Sequence, residues 1–163
     1  MNKRIESLRL VPLTLEDCAS IFELFSNFKV LSAYVDQPIK TRFETIDFVK
    51  RITSNGSWTW KIIDPHSKNS IIGICSLHNL DTIKKTIQIG GTLFPQYWGM
   101  GYMSWAFINV FKIISQKYEV NYIVCKTTPS NVRAIGLAKK LGFEIQDLSQ
   151  NEVVLVKNLH NII

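Results

Sequence analysis

The residues best suited to chemistry lie in one run, Pro95-Gln96-Tyr97-Trp98-Gly99-Met100-Gly101-Tyr102-Met103-Ser104. Its spacing predicts a turn between a strand at 86–93 and an amphipathic helix at about 102–118. Glycines at such a turn let the backbone approach a ligand closely. The amides that open a helix have no partner inside it and point outward. A junction of this kind binds anions, above all phosphates. The chemistry expected here is the holding of a phosphate-bearing ligand.

The elements that must position this turn fit one domain spanning 1–163. A chain of 163 residues can bury a real core, and 46% hydrophobic content argues against disorder. No apolar run approaches the roughly 20 residues of a membrane span, and the first residues lack the apolar block of a signal peptide. The three cysteines, Cys18, Cys75 and Cys125, are far apart, which predicts reduced core thiols in a cytoplasmic protein. The net charge of +6 suits a polyanionic ligand such as a nucleotide cofactor. Solubility explains it equally well, because the basic residues are scattered. Nucleic acid is not the expected partner, since no basic run interleaves with aromatics.

Along the chain, a strand at 8–13 precedes a helix capped by Thr14, with Asp17 bonding back to the cap. Leu15, Cys18, Phe22 and Phe25 carry this helix to about residue 26. A second helix spans about 43–52. Strands follow at 57–63, 71–78 and 85–93. After the long helix come a strand at 122–126 and a helix opened by Ser130 or Asn131 and stopped by Gly142. Segments 143–145 and 152–156 end the sheet. The fold class is α/β, one mixed and mostly antiparallel sheet flanked by helices, in the order β-α-α-β-β-β-α-β-α-β-β.

Gln96-Tyr97-Trp98-Gly99-Met100-Gly101 resembles the Gln/Arg-x-x-Gly-x-Gly/Ala motif of the GNAT family of N-acetyltransferases. Asn131-Val132-Arg133-Ala134 with Leu141-Gly142-Phe143 is similar to the family's second signature. The opening Leu10-Val11-Pro12-Leu13-Thr14-Leu15-Glu16-Asp17 resembles the branch that includes the ribosomal-protein N-acetyltransferases. The resemblance implies acetyl-CoA as co-substrate. By it, the amides from about Tyr97 to Met103 (Tyr97, Trp98, Gly99, Met100, Gly101, Tyr102 and Met103) cradle the pyrophosphate, with Gln96 at the edge. The backbone of Gly91, Thr92 and Leu93 pairs with the pantetheine arm as an added strand. An amide near Thr92 or Leu93 polarises the thioester carbonyl. Asn131 bonds the cofactor arm, although a simple helix cap explains that residue about as well.

The resemblance also implies an acid and a base, and here the chain departs from the pattern. Gln88 stands where many members have a Glu, and Ala134 and Ala138 stand where a Ser or Tyr is expected. His78 and Asp81 are the remaining candidates, although a strand-end histidine and a turn carboxylate are the plainer readings. Tyr34, Phe43 and Trp58 are candidates for the acceptor wall, with Asp36 and Trp60 beside them. Core packing is the plainer reading for the two tryptophans. The implied activity is acetyl transfer to a primary amine, on a protein N-terminus or a small molecule, by direct attack in a ternary complex. A non-catalytic acyl-CoA-binding module is the alternative. The oligomeric state is open between monomer and homodimer, and no membrane partner or metal is expected.

Overall fold

The computed structural model describes residues 3–31 and 39–159. Tyr34 and Asp36 lie outside the described residues. Seven strands form one sheet: β1 (Arg9–Pro12), β2 (Trp58–Asp64), β3 (Ser70–Asp81), β4 (Thr86–Leu93), β5 (Tyr122–Thr127), β6 (Glu144–Leu148) and β7 (Val153–Asn158). Their order across the sheet is β1-β2-β3-β4-β5-β7-β6. All neighbours are antiparallel except β4 and β5. The helices are α1 (Lys3–Glu6), α2 (Cys18–Ser26), α3 (Phe28–Leu31), α4 (Arg42–Ile52), α5 (Tyr102–Lys117) and α6 (Val132–Lys140). The predicted element order holds. The one-turn helices α1 and α3 are additional; each is too short to leave a periodic signal.

Helix starts follow local chemistry. At the first, Asp17 accepts from the Thr14 amide at 2.9 Å, as expected, but the turn it closes is a 3₁₀ turn, Leu15–Asp17, and α2 begins only at Cys18. At α4, Thr41 accepts from the Glu44 amide at 3.2 Å, and Glu44 accepts from the Thr41 amide at 3.1 Å. Gly142, at φ 83°, stops the chain after α6 in the left-handed region.

Side-chain alternation divides the sheet into two faces. Ile62, Cys75, Leu77, Ile87 and Ile89 face α5, packing on Met103, Phe107 and Val110. Ile74 faces the other way, against Ile21, Leu24, Phe25, Phe48 and Val49 of α2 and α4. Helix α6 joins the α5 side through Ala138. The buried areas of both faces supply most of the driving force for folding.

One buried charge ties the chain's start to this frame. The Asp64 side chain is 0% exposed and takes the Arg4 guanidinium at 2.7 and 3.0 Å, the His66 amide at 2.9 Å and the Ser67 hydroxyl at 3.0 Å. Burial alone would raise the Asp64 carboxyl, but these donors outweigh it and hold it below the ordinary carboxylate value. A carboxyl lowered on folding contributes stability above its unfolded value, and that contribution disappears as pH falls through the folded one. Arg4→Met leaves Asp64 buried without its cation. Its expected effect is a fall in Tm of roughly 5 °C at pH 7 and an acid-unfolding midpoint at higher pH than wild type, both readable by circular dichroism. An unchanged acid midpoint would refute the role given to the pair.

Candidate active site

The site is built on a divergence in the sheet. β4 and β5 pair at four positions, from Thr86↔Tyr122 to Ile89↔Cys125. Beyond them, Lys126 and Thr127 of β5 pair only with β7, and residues 90–93 of β4 pair only with β3. One edge of β4 is therefore open over its last half. Which amides face that edge follows from the ladder. Phe94 donates to the Ile72 carbonyl at 2.9 Å, and in an antiparallel ladder alternate residues turn to the same side. Gly90 and Thr92 therefore point at β3, while Gly91 and Leu93 point into the split. This corrects the expectation at Thr92, whose amide is committed to β3. Gly91 also has a packing reason: a Cβ there would lie 2.8 Å from the Ile74 carbonyl and 3.1 Å from the Met103 sulfur.

The loop after β4 narrows the predicted cradle. Pro95–Tyr97 form a 3₁₀ turn, in which the Tyr97 amide donates to Phe94 at 2.9 Å and the Trp98 amide to Pro95 at 3.2 Å. Those two amides are spent. Gly99 and Gly101 have φ of 76° and 82°, a region that favours glycine, and Trp105 is the first residue of α5 to close a helical bond, onto Gly101. Among the described residues, no group accepts from the backbone amides of 99–104. The outward amides thus begin at Gly99 and run through Met100, Gly101, Tyr102 and Met103 to Ser104.

Side chains pin this loop from both sides. The Trp98 indole N–H donates to the Leu93 carbonyl at 2.8 Å, and the Arg133 guanidinium lies 4.6 Å from the Trp98 ring centre. This cation–π contact joins the start of α6 to the loop across the outer end of the split. The Tyr97 hydroxyl donates to Ser67 at 3.2 Å, which links the loop to the Arg4–Asp64 cluster. Gln96 is exposed and borders a separate hollow beside Asp17 and Lys61.

The split opens into a cleft of about 340 Å³. Gly91, Met103 and Phe107 form one wall, and Asn131, Ala134 and Ala138 another. Asn131 is a helix cap, its side chain accepting from the Ala134 amide at 3.2 Å, and it also lines the cleft. His78 also lines it, with ring carbon Cε1 3.4 Å from where a Cβ on Gly90 would stand. Gln88, next to it, accepts from the Asn79 side chain at 3.1 Å. Asp81 instead closes the β3–β4 hairpin, accepting from the Ile83 and Lys84 amides at 3.0 and 2.8 Å. Cys125 lines the cleft, but burial pushes its thiol up to about 11, and burial pushes Cys75 up further. Neither holds an appreciable thiolate fraction near neutrality.

The described acceptor candidates are not brought together. Trp58 sits on the α5 face, its ring 4.9 Å from that of Tyr118, which fits its core reading. Trp60 packs on the same core. Phe43 is 82% exposed at the start of α4. Two residues that the linear pattern missed do line the cleft: Lys126 and Glu152, 3.5 Å apart. Both fall within ordinary strand patterns of the sequence, at 122–126 and 152–156, and only the β4–β5 divergence gives them a place in the site.

The family model of the acetyltransferase (GNAT) domain matches residues 7–144. No curated protein matches the chain in sequence. Among solved structures, an acetyltransferase of Salmonella typhimurium that modifies the N-terminal serine of a 50S ribosomal subunit protein superposes with a TM-score of 0.81 at 17% identity, over 93% of this chain and 95% of that one. The spermidine N-acetyltransferase of Vibrio cholerae, solved with CoA and spermine, gives 0.80 at 16% identity, over 95% and 97%. A microcin self-immunity acetyltransferase solved with acetyl-CoA and AMP gives 0.80 at 16% identity, over 94% and 93%. At such identities the likeness shows the fold.

Trp98→Phe keeps a ring under Arg133 but removes the bond to Leu93. Hydrogen exchange of the bonded Tyr97 and Trp98 amides is expected to speed up roughly fivefold, the equivalent of about 1 kcal/mol, with the α5 core unchanged. Equal exchange in both proteins would remove the pinning role of the indole.

Proposed function

The chain belongs to the GNAT acetyltransferase family, and from that premise we propose that it moves an acetyl group from acetyl-CoA to a primary amine by direct attack. The observation that carries this reading is the open β4 edge, with the Gly91 and Leu93 amides facing it, next to a run of outward amides at 99–104. A pantetheine arm has the amides and carbonyls to add to such an edge as a strand. A pyrophosphate fits the amides at the start of α5, a helix of 16 residues whose dipole favours negative charge. Neighbours of the same fold solved with CoA or acetyl-CoA agree with that choice.

Acetyl-CoA supplies an acetyl group already activated as a thioester. The protein's part is positioning and electrostatics. An amine held against the thioester gains the advantage of proximity. The Gly91 and Leu93 amides, fixed in the strand, are the donors available to the carbonyl oxygen as it gathers negative charge, and a preorganised donor there lowers the barrier. No thiolate is needed, and the raised Cys125 thiol suits a route without a covalent enzyme intermediate. Of the two candidates for the amine's proton, His78 overlies Gly90 and Asp81 is held in a turn, so His78 is assigned the proton.

A second reading has its own support. Gln88, Ala134 and Ala138 line the cleft and none can transfer a proton, which suits a module that binds acyl-CoA without turning it over.

Tryptophan fluorescence should report saturable acetyl-CoA binding that ATP does not match. Gly101→Val, which puts a branched residue at φ 82°, should abolish binding with the circular dichroism spectrum unchanged. Binding retained in that variant would remove the cradle. His78→Ala should lower kcat by roughly 10²-fold, in the range of general acid–base contributions, without changing acetyl-CoA affinity; a fall under twofold would leave water as the proton carrier. Acetyl-CoA binding with no CoA release from any amine would select the binding module.

A further inference from the structure

The charged residues at the cleft mouth bear on the acceptor. Lys126 is the first residue of β5 past its last pair with β4. By alternation its side chain emerges on the face of Gln88 and His78, opposite the α5 side. Glu152 precedes β7 diagonally across from it, and their charged atoms stand 3.5 Å apart. The side chains keep 44% and 48% of their exposure, so solvent and ligands reach both. A pair this exposed contributes little to folding. Among the described residues that line the cleft, Lys126 carries the one fixed positive charge and Glu152 the one carboxylate.

Resting on the acetyltransferase reading above, we propose that Lys126 and Glu152 recognise the acceptor, and that they select a small amine bearing a carboxylate close to its amino group. In the free protein each charge satisfies the other. An acceptor with an ammonium and a carboxylate a few ångströms apart replaces both partners at once: its carboxylate takes Lys126 and its amino end faces Glu152. Exchange of one ion pair for two leaves no charge unpaired. A polyamine brings only positive charge, meets Lys126 as a like charge, and finds Glu152 already neutralised. A carboxamide or a peptide N-terminus offers Lys126 no anion.

The test is CoA release from acetyl-CoA with matched trios: a free amino acid, its carboxamide and the amine left by removing its carboxyl group, with spermidine added. The expected result is a kcat/KM for the acid form at least tenfold above the other two and above spermidine. Lys126→Met should bring the acid-to-amine ratio close to one, chiefly through KM, and Lys126→Arg should restore the preference. Glu152→Gln should reduce kcat/KM for the acid form as well. Wild-type protein that acetylates carboxamides or spermidine as efficiently as amino acids would overturn the proposal while supporting the transferase reading. So would a Lys126→Met protein that keeps the preference. No CoA release with any amine, from protein that binds acetyl-CoA, would overturn the transferase reading and this selection with it.

Discussion

The interruption of one parallel strand pair governs the rest of the molecule. Had β4 and β5 stayed paired to their ends, every backbone group of β4 would have a partner, as a buried sheet requires. They separate after Ile89 and Cys125 instead. An open sheet edge attracts another strand. Here Trp98 covers the outer end by taking the Leu93 carbonyl, and Gly91 remains presented to the cleft. The unpaired edge is the price of a binding site, kept stable by close packing of α5 beneath it, where a side chain at residue 91 would find no room.

The loop that follows is held by the packing of Tyr97 and Trp98 and by polar contacts. Gly99 and Met100 are exposed. Tyr97 reaches Ser67, Ser67 shares Asp64 with Arg4, and Trp98 stacks under Arg133. The loop is thereby anchored to the end of β2, to the chain's start and to α6. Outward amides bind anions well only when their directions are set beforehand, and these anchors set them. The same contacts explain the two aromatic residues that precede the glycines: Tyr97 and Trp98 each use the ring for packing and the polar tip for a bond.

On the opposite face, α2 and α4 cover β2, β3 and the adjoining part of β4, while the far strands carry Lys126, Val154 and Val156 without a helix above them among the described residues. The cleft therefore joins a region shaped by backbone, suited to a cofactor common to the family, to a region shaped by side chains. Backbone recognition tolerates sequence change, and side-chain recognition does not. That division lets Gln88, Ala134 and Ala138 line the cleft without altering the backbone groups around it, while His78, Lys126 and Glu152 add side chains that can carry charge.

Much of this was legible in the order of residues. Helical spacing, alternation and the glycines placed seven strands and four main helices, because those patterns report burial on one side of an element. The glycine turn before α5 was legible too, since glycine and an amphipathic helix start are local features. Which amides stay free was not: Tyr97 and Trp98 spend theirs in a 3₁₀ turn, and Thr92 is turned toward β3 by a register that depends on Phe94 and Ile72. His78 and Asp81 look alike on paper, and the hairpin alone decides that one overlies Gly90 while the other caps a turn. Lys126 and Glu152 carried no signal, for their meeting depends on strands 26 residues apart in sequence being brought together. Local propensity is written in neighbouring residues. Direction, register and the company of distant side chains exist only once the sheet has formed.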